Sequence, residues 1–277
     1  MNKWLKRFSI AFLPVFLSSC SNANVKDINI KNYGNSDVPQ DVCLAKMQAR
    51  FTELFSSYFV TDSSKNISSL TKNLIVESYY YEIRTFDSNI KDNNSTRYYE
   101  KSEKILIDGT YKRFTRNSSS KTYSDSKTTG KKREVTSEDY YGEIVNNILY
   151  LVDLSNDTIS TSSYGNSYFP YDLSSIANYS RNITGSYYTT KYYLADNVFT
   201  LVGHTNDEVE IIVQFDLTDS IILKSISKTM EVVSSGVVKV KSGIEIRIEQ
   251  TSKGVQAYDY SNLNSSSQTS SSQSKNN

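Results

Sequence analysis

Hydrophobic and polar positions divide the chain into three kinds of segment. In residues 41–59 the apolar side chains Leu44, Met47, Phe51, Leu54, Phe55 and Tyr58 recur at spacings of three and four, which predicts one amphipathic helix with a single apolar stripe. Asp37 is placed to cap it, Pro39 suits its first turn, and Gln40 follows Asp37 at the spacing of a capping box. From there on the period changes to two. In "EVEIIVQFDL" Val209, Ile211, Val213, Phe215 and Leu217 share one face. Glu208, Glu210, Gln214 and Asp216 share the other, with only Ile212 out of step. That pattern predicts a strand with one wet face. "VVKVKSGIEIRIE" repeats it over roughly 40 Å at about 3.3 Å per residue, with Val238, Val240, Ile244, Ile246 and Ile248 on one side and Gly243 on the polar side as a candidate bulge.

Turn chemistry orders these strands. Asp108-Gly109 reads as a tight hairpin, and Asn146-Asn147, Asp196-Asn197 and Thr205-Asn206-Asp207 as weaker turns. Short turns imply antiparallel neighbours. The prediction is a meander with strands near 73–86, 96–107, 110–116, 132–137, 140–145, 148–154, 185–194, 198–204, 208–217, 220–233 and 237–250. Ser118 to Gly130 reads as a polar insertion, and "DLSSIANYS" after Pro170 as a short helix or a crossing loop. No internal repeat points to a propeller or a solenoid.

The first twenty residues, "MNKWLKRFSIAFLPVFLSSC", have another logic. Lys3, Lys6 and Arg7 precede a short apolar run from Phe8 to Leu17, followed by small residues, which is the layout of a secretion signal. The run is shorter than the roughly 20 apolar residues a membrane span needs. Its end, Leu17-Ser18-Ser19-Cys20, resembles the lipobox of bacterial lipoproteins. The resemblance implies a diacylglyceryl group on the Cys20 sulfur and cleavage just before it, with Leu17, Ser18 and Ser19 recognised by the signal peptidase. The expected location is the bacterial cell envelope, anchored through lipid on the extracytoplasmic side of a membrane.

The domain limits follow: signal peptide 1–19, lipidated anchor and flexible tether 20–36, one folded domain 37–260, and a disordered Ser-rich tail 261–277. Of 31 basic residues, removal of Lys3, Lys6 and Arg7 leaves 28 against 30 acidic ones, so nothing in the charge balance favours nucleic acid. Two cysteines are present, and lipidation uses Cys20. That leaves Cys43 without a partner for a disulfide or a cysteine zinc site, and it is read as a small buried apolar side chain.

His204 is the single histidine, beside a turn, and no nucleophile elbow, histidine pair or Gly-rich phosphate loop occurs. The chain is read as not an enzyme and as needing no cofactor or metal. Twenty-two tyrosines include doublets at 98–99, 140–141, 187–188 and 192–193 and a triplet at 79–81. In a strand each doublet sends one ring to the core and one to solvent. Outward rings suit sugars or a protein partner, although tyrosine is in any case a strong strand former.

The expected fold is α+β and mostly β: a long, curved antiparallel sheet, a half-open barrel, with an N-terminal amphipathic helix packed on its apolar face. On the segments "ILIDGTYKRFTR", "GEIVNNILYLVD", "VEIIVQFDL" and "SIILKSI" this order of elements resembles the LolA-like superfamily of lipoprotein and lipid carriers, including its LppX and LprG type. That resemblance implies an apolar cavity between sheet and helix. The expected partners are a membrane, through the anchor, and either an apolar ligand or an envelope protein; the alternative to a carrier is a displayed interaction or structural lipoprotein with a filled core.

Overall fold

The computed structural model describes residues 26–62, 67–90, 94–127, 129–163, 189–204 and 210–262. After α1 (Gln40–Ser56) come a small hairpin, β1 (Phe59–Asp62) with β2 (Ile67–Leu70), and then eleven strands that form one sheet. They are β3 (Leu74–Ser88), β4 (Ser95–Asp108), β5 (Arg113–Ser126), β6 (Gly130–Val145), β7 (Ile148–Asp153), β8 (Thr158–Ser163), β9 (Thr189–Ala195), β10 (Val198–His204), β11 (Glu210–Asp216), β12 (Ile221–Val233) and β13 (Gly236–Gln250). A 3-10 turn at Tyr260–Asn262 follows.

The sheet is curved, unclosed and antiparallel, in the order β8-β7-β6-β5-β4-β3-β13-β12-β11-β10-β9. Two meanders, β3 to β8 and β9 to β13, are therefore joined along β3 and β13, which pair over their whole length from Leu74↔Gln250 to Ser88↔Gly236. β8 and β9 are the two edges. Strand length divides the sheet again. β3 to β6, β12 and β13 have 13 to 16 residues, whereas β7 to β11 have six or seven. All eleven strands share a base, and six of them rise beyond it to a tip.

Register assigns the side chains to two faces. The face we call inner carries Leu74 and Val76, Ile105 and Ile107, Phe114, Phe199 and Leu201, Val213 and Phe215, Ile221 and Leu223, and Ile246 and Ile248, all at the base and all in one buried cluster. Cys43 and Met47 of α1 are buried in the same cluster, with Leu44, Phe51, Leu54 and Phe55 partly buried against it. Arg50 reaches from the helix to the β11–β12 turn, where it donates to the carbonyls of Leu217 and Thr218.

Several sequence expectations change here. α1 begins at Gln40 with Pro39 at its N-cap and no side-chain cap, so Asp37 stands too far ahead to serve. Its neighbour Val38 instead donates its N–H to the carbonyl of Tyr192 at the edge of β9. Ser118 to Gly130 is no insertion: β5 runs through to Ser126 and β6 starts at Gly130, because Ser and Thr satisfy a strand's dihedrals without any apolar alternation to reveal it. β6 is one strand where two shorter ones were expected, and β1, β2 and β8 were not foreseen. Asp108-Gly109 does not make a two-residue turn. The loop runs to Lys112, which takes the positive φ of 54°, while the Asp108 carboxylate accepts from the N–H groups of Tyr111 and Val255. Asn146 and Asn147 do form a two-residue turn, both with positive φ. Thr205-Asn206-Asp207 and "DLSSIANYS" lie outside the described residues.

Gly243 is not a bulge, since pairing continues through it on both sides. It is a close-packing site: a Cβ there would come within 2.5 Å of the Tyr81 ring and 2.7 Å of Ile28 Cδ1.

Candidate binding surfaces

The outer face is where chain patterning predicted least. β11 was expected to be wet on this side, yet Gln214 is 1 % and Ile212 8 % exposed. The cover is the chain's own N-terminal segment. Lys26 donates its N–H to the Tyr79 hydroxyl, Ile28 packs over Gly243, and Lys224 Nζ donates to the carbonyl of Asn29. The Gln214 amide then accepts from Lys31 N–H at 2.8 Å and donates to the Lys31 carbonyl at 2.9 Å, as a neighbouring strand would. Lys31 Nζ lies 2.5 Å from Asp216 Oδ2, and Tyr33 packs on Tyr193. Residues 26–36, read from sequence as part of a flexible tether, are in this stretch a strap laid across β3, β13, β12 and β11 that turns the edge at β9 into α1. The C-terminal residues do the same on the other wing. Val255 is buried with Tyr141 and Val152, Tyr258 packs on Tyr141, and the Tyr260 hydroxyl donates to Glu143.

Between the two straps an open trough of about 830 Å³ remains on the outer face, lined by Lys26, Glu77, Tyr79, Glu100, Lys104, Lys121, Asp139 and Arg247 among others. Three of its cations are held in ion pairs. Lys104 meets Glu77 and Lys121 meets Glu100, each at 2.6 Å, and Arg247 meets Glu249 at 2.9 Å. Glu100 also accepts from the hydroxyls of Tyr79 and Tyr98. Burial pushes the Glu100 carboxyl up, but the hydrogen bonds from Lys121, Tyr98 and Tyr79 outweigh it and leave the group below the usual carboxylate range. Burial and the contact with Glu100 hold the Tyr98 phenol far above its ordinary value. The trough therefore offers charges and hydroxyls held in a hydrogen-bonded network around Glu100.

A second polar field occupies the inner face above the base. Tyr80 and Tyr99 pack with ring centroids 6.0 Å apart, and both are half-buried. Glu82 accepts from the Tyr80 hydroxyl at 3.1 Å and from Arg84 Nε at 2.7 Å. Burial, then Glu82, pushes the Tyr80 phenol up to about 12. Arg84 stands directly opposite Arg97, a like-charge pairing that costs stability unless something neutralises it. Ser120, Thr122 and Ser124 continue these rows on β5.

The tyrosine doublets do divide between the faces, but differently from expectation. Tyr79, Tyr81, Tyr98 and Tyr141 are buried on the outer face, beneath or beside the straps, and Tyr192 is buried in the inner cluster, while Tyr80, Tyr99, Tyr140 and Tyr193 are half-buried; none of these points freely into solvent. Residues 187–188 lie outside the described residues. Both fields escape sequence patterning because in "ESYYYEI" and "RYYEKSEK" aromatic and charged residues fall on both parities. Ile28, Ile30 and Tyr33 were the available signal for the strap.

Of the single residues weighed from sequence, Cys43 is fully buried, and burial pushes its thiol up to about 11. His204 ends β10 and is exposed. Asp216 is buried beneath Lys31, whereas Asp219 is exposed. Leu17, Ser18, Ser19 and Cys20 lie outside the described residues. Among the described residues no cluster of His, Cys, Asp and Glu could hold a metal ion, and no helix is long and apolar enough to cross a membrane. No protein-family model matches the chain, and no curated protein is similar to it at a significant level.

Proposed function

We propose that the chain is a membrane-anchored envelope lipoprotein, held through Cys20, whose domain is a displayed binding module with α1 covering the apolar base and a filled core. One observation carries this reading. Leu74, Ile107, Leu201, Val213, Leu217, Ile221, Leu223 and Ile248 are all 0 % exposed, so not even a water-sized probe reaches the apolar inner face at these positions. An apolar cavity would leave its lining accessible. Two fields open to a partner are polar: the tyrosine and arginine field on the inner face of the long strands and the trough on the outer face. Aromatic faces flanked by hydroxyls and guanidinium groups suit an envelope glycan or a protein rather than an acyl chain.

A second reading, a carrier of an apolar ligand, is favoured by the unclosed sheet, whose edges β8 and β9 do not pair with each other, so the base has a seam along which it can open. Native mass spectrometry and organic extraction of the purified lipoprotein separate the two. The filled-core reading expects no lipid beyond the anchor, and Ile246→Trp, at a position 4 % exposed, to destabilise by about 1–3 kcal/mol through overpacking. Stoichiometric lipid that Ile246→Trp displaces while the fold persists would establish the carrier instead.

A further inference from the structure

We propose that the outer face, trough included, is the membrane-proximal surface of the domain, and that the strap at 26–33 holds it there. This rests on the reading of Cys20 as the lipid anchor. Lys26 follows Cys20 by only six steps along the chain, and it is fixed to Tyr79 in the middle of the outer face both by its N–H and by its ammonium group over the ring. Fully extended, at no more than about 3.6 Å each, they reach about 22 Å. Tyr79 pairs with Glu245, nine residues from the tip of β13 at Gly236, which is roughly 30 Å along the strand. The tip therefore cannot rest on the bilayer that holds the anchor while the strap is docked.

The strap is built to stay docked. Ile28 is 8 % exposed over a glycine that leaves it room, Gln214 grips both backbone groups of Lys31, and Asp216 pairs with its ammonium group. The trough's cations suit a surface turned toward headgroups, because Lys104, Lys121 and Arg247 are each matched by a carboxylate. In this orientation the inner field of Tyr80, Tyr99, Arg84 and Arg97 faces away from the membrane, toward the envelope. Released as far as Val38, the leash would lengthen from six residues to 18 and lose this control.

The test uses the mature lipidated protein in phosphatidylcholine vesicles carrying an acceptor dye on the headgroup. Donor dyes are placed at Ser137→Cys beside the trough or at its neighbour Thr136→Cys, exposed on the inner face of the same strand; Cys43, buried and with a raised thiol pKa, stays unlabelled. Energy transfer should be stronger at position 137 than at 136. Adding Ile28→Asp, which frees the strap and changes no residue of the sheet, should erase the difference, with circular dichroism confirming an intact fold. Equal or stronger transfer at 136 in the parent overturns the orientation alone. Metabolic labelling with an alkyne fatty acid is read in parallel, and label on the parent that persists in Cys20→Ala overturns the anchor and the orientation together.

Discussion

The tip of the sheet is a continuation of six of the eleven strands that build its base, yet base and tip obey different rules. At the base, β12 contributes Ile221 and Leu223 with no exposure at all; nine residues after Leu223 the same strand presents Val232 at 75 % exposure. On β6 the contrast is as sharp: Tyr141 and Gly142 are buried, while residues 130–138 are exposed throughout. Backbone pairing is continuous across both regions, with β5 and β6 in register from Arg113↔Glu143 to Ser126↔Gly130. A hydrogen-bonded ladder therefore extends well beyond the apolar cluster that stabilises it. The lesson is that hydrophobic burial fixes where the sheet is strong, while strand propensity and cross-strand ion pairs such as Lys239–Asp87 suffice to continue it.

The largest effect that would break this comparison is a cavity at the base. Leu223→Ala should cost about 2–5 kcal/mol in denaturant unfolding, whereas Val232→Ser on the same strand should stay within about 0.5 kcal/mol. Similar costs at both positions would mean that the tip has a core of its own.

Next in size comes the strap, which gives the outer face the burial that the pattern of β11 denies it. Gly243→Ala forces a methyl against Tyr81 and Ile28 and should cost about 1–3 kcal/mol. Gln214→Ala leaves the Lys31 backbone and the Thr200 hydroxyl without their partner, again about 1–3 kcal/mol. Both should speed amide exchange in residues 26–33 ahead of β4 and β5; uniform acceleration would show that the strap is not a separate unit.

The smallest effect is one of pH. Burial raises the Asp216 carboxyl, and the hydrogen bonds from Lys31 and Thr218 more than reverse this, so its folded pKa lies below the unfolded one. A depressed carboxylate contributes stability that is fully present above the ordinary value near 4 and is lost as pH falls through the folded pKa. Strap protection, taken as exchange relative to the intrinsic rate at each pH, should therefore be constant from neutral pH to about 5 and fall below it, and Asp216→Asn should remove that step. A step that persists in the variant would assign it to another carboxylate, Glu82 and Glu100 being held down in the same sense by Arg84 and Lys121.

By itself the sequence determined the elements whose side chains repeat with a period. The stripe from Leu44 to Phe55 gave α1, strict alternation gave β11 and β13 nearly to their ends, and Asn146-Asn147 gave its turn, because each signal is local and depends only on backbone geometry. Local pattern was silent where both faces of a strand are polar, hence the misreading of Ser118 to Gly130, and where burial comes from distant chain. Only the tertiary structure decided that Gln214 is covered by Lys31, 183 residues away, that Gly243 exists to admit Ile28, and that Tyr79, Tyr81, Tyr98 and Tyr141 are buried on the outer face. Those are properties of which surfaces meet, and periodicity along one strand carries no information about what will lie across it.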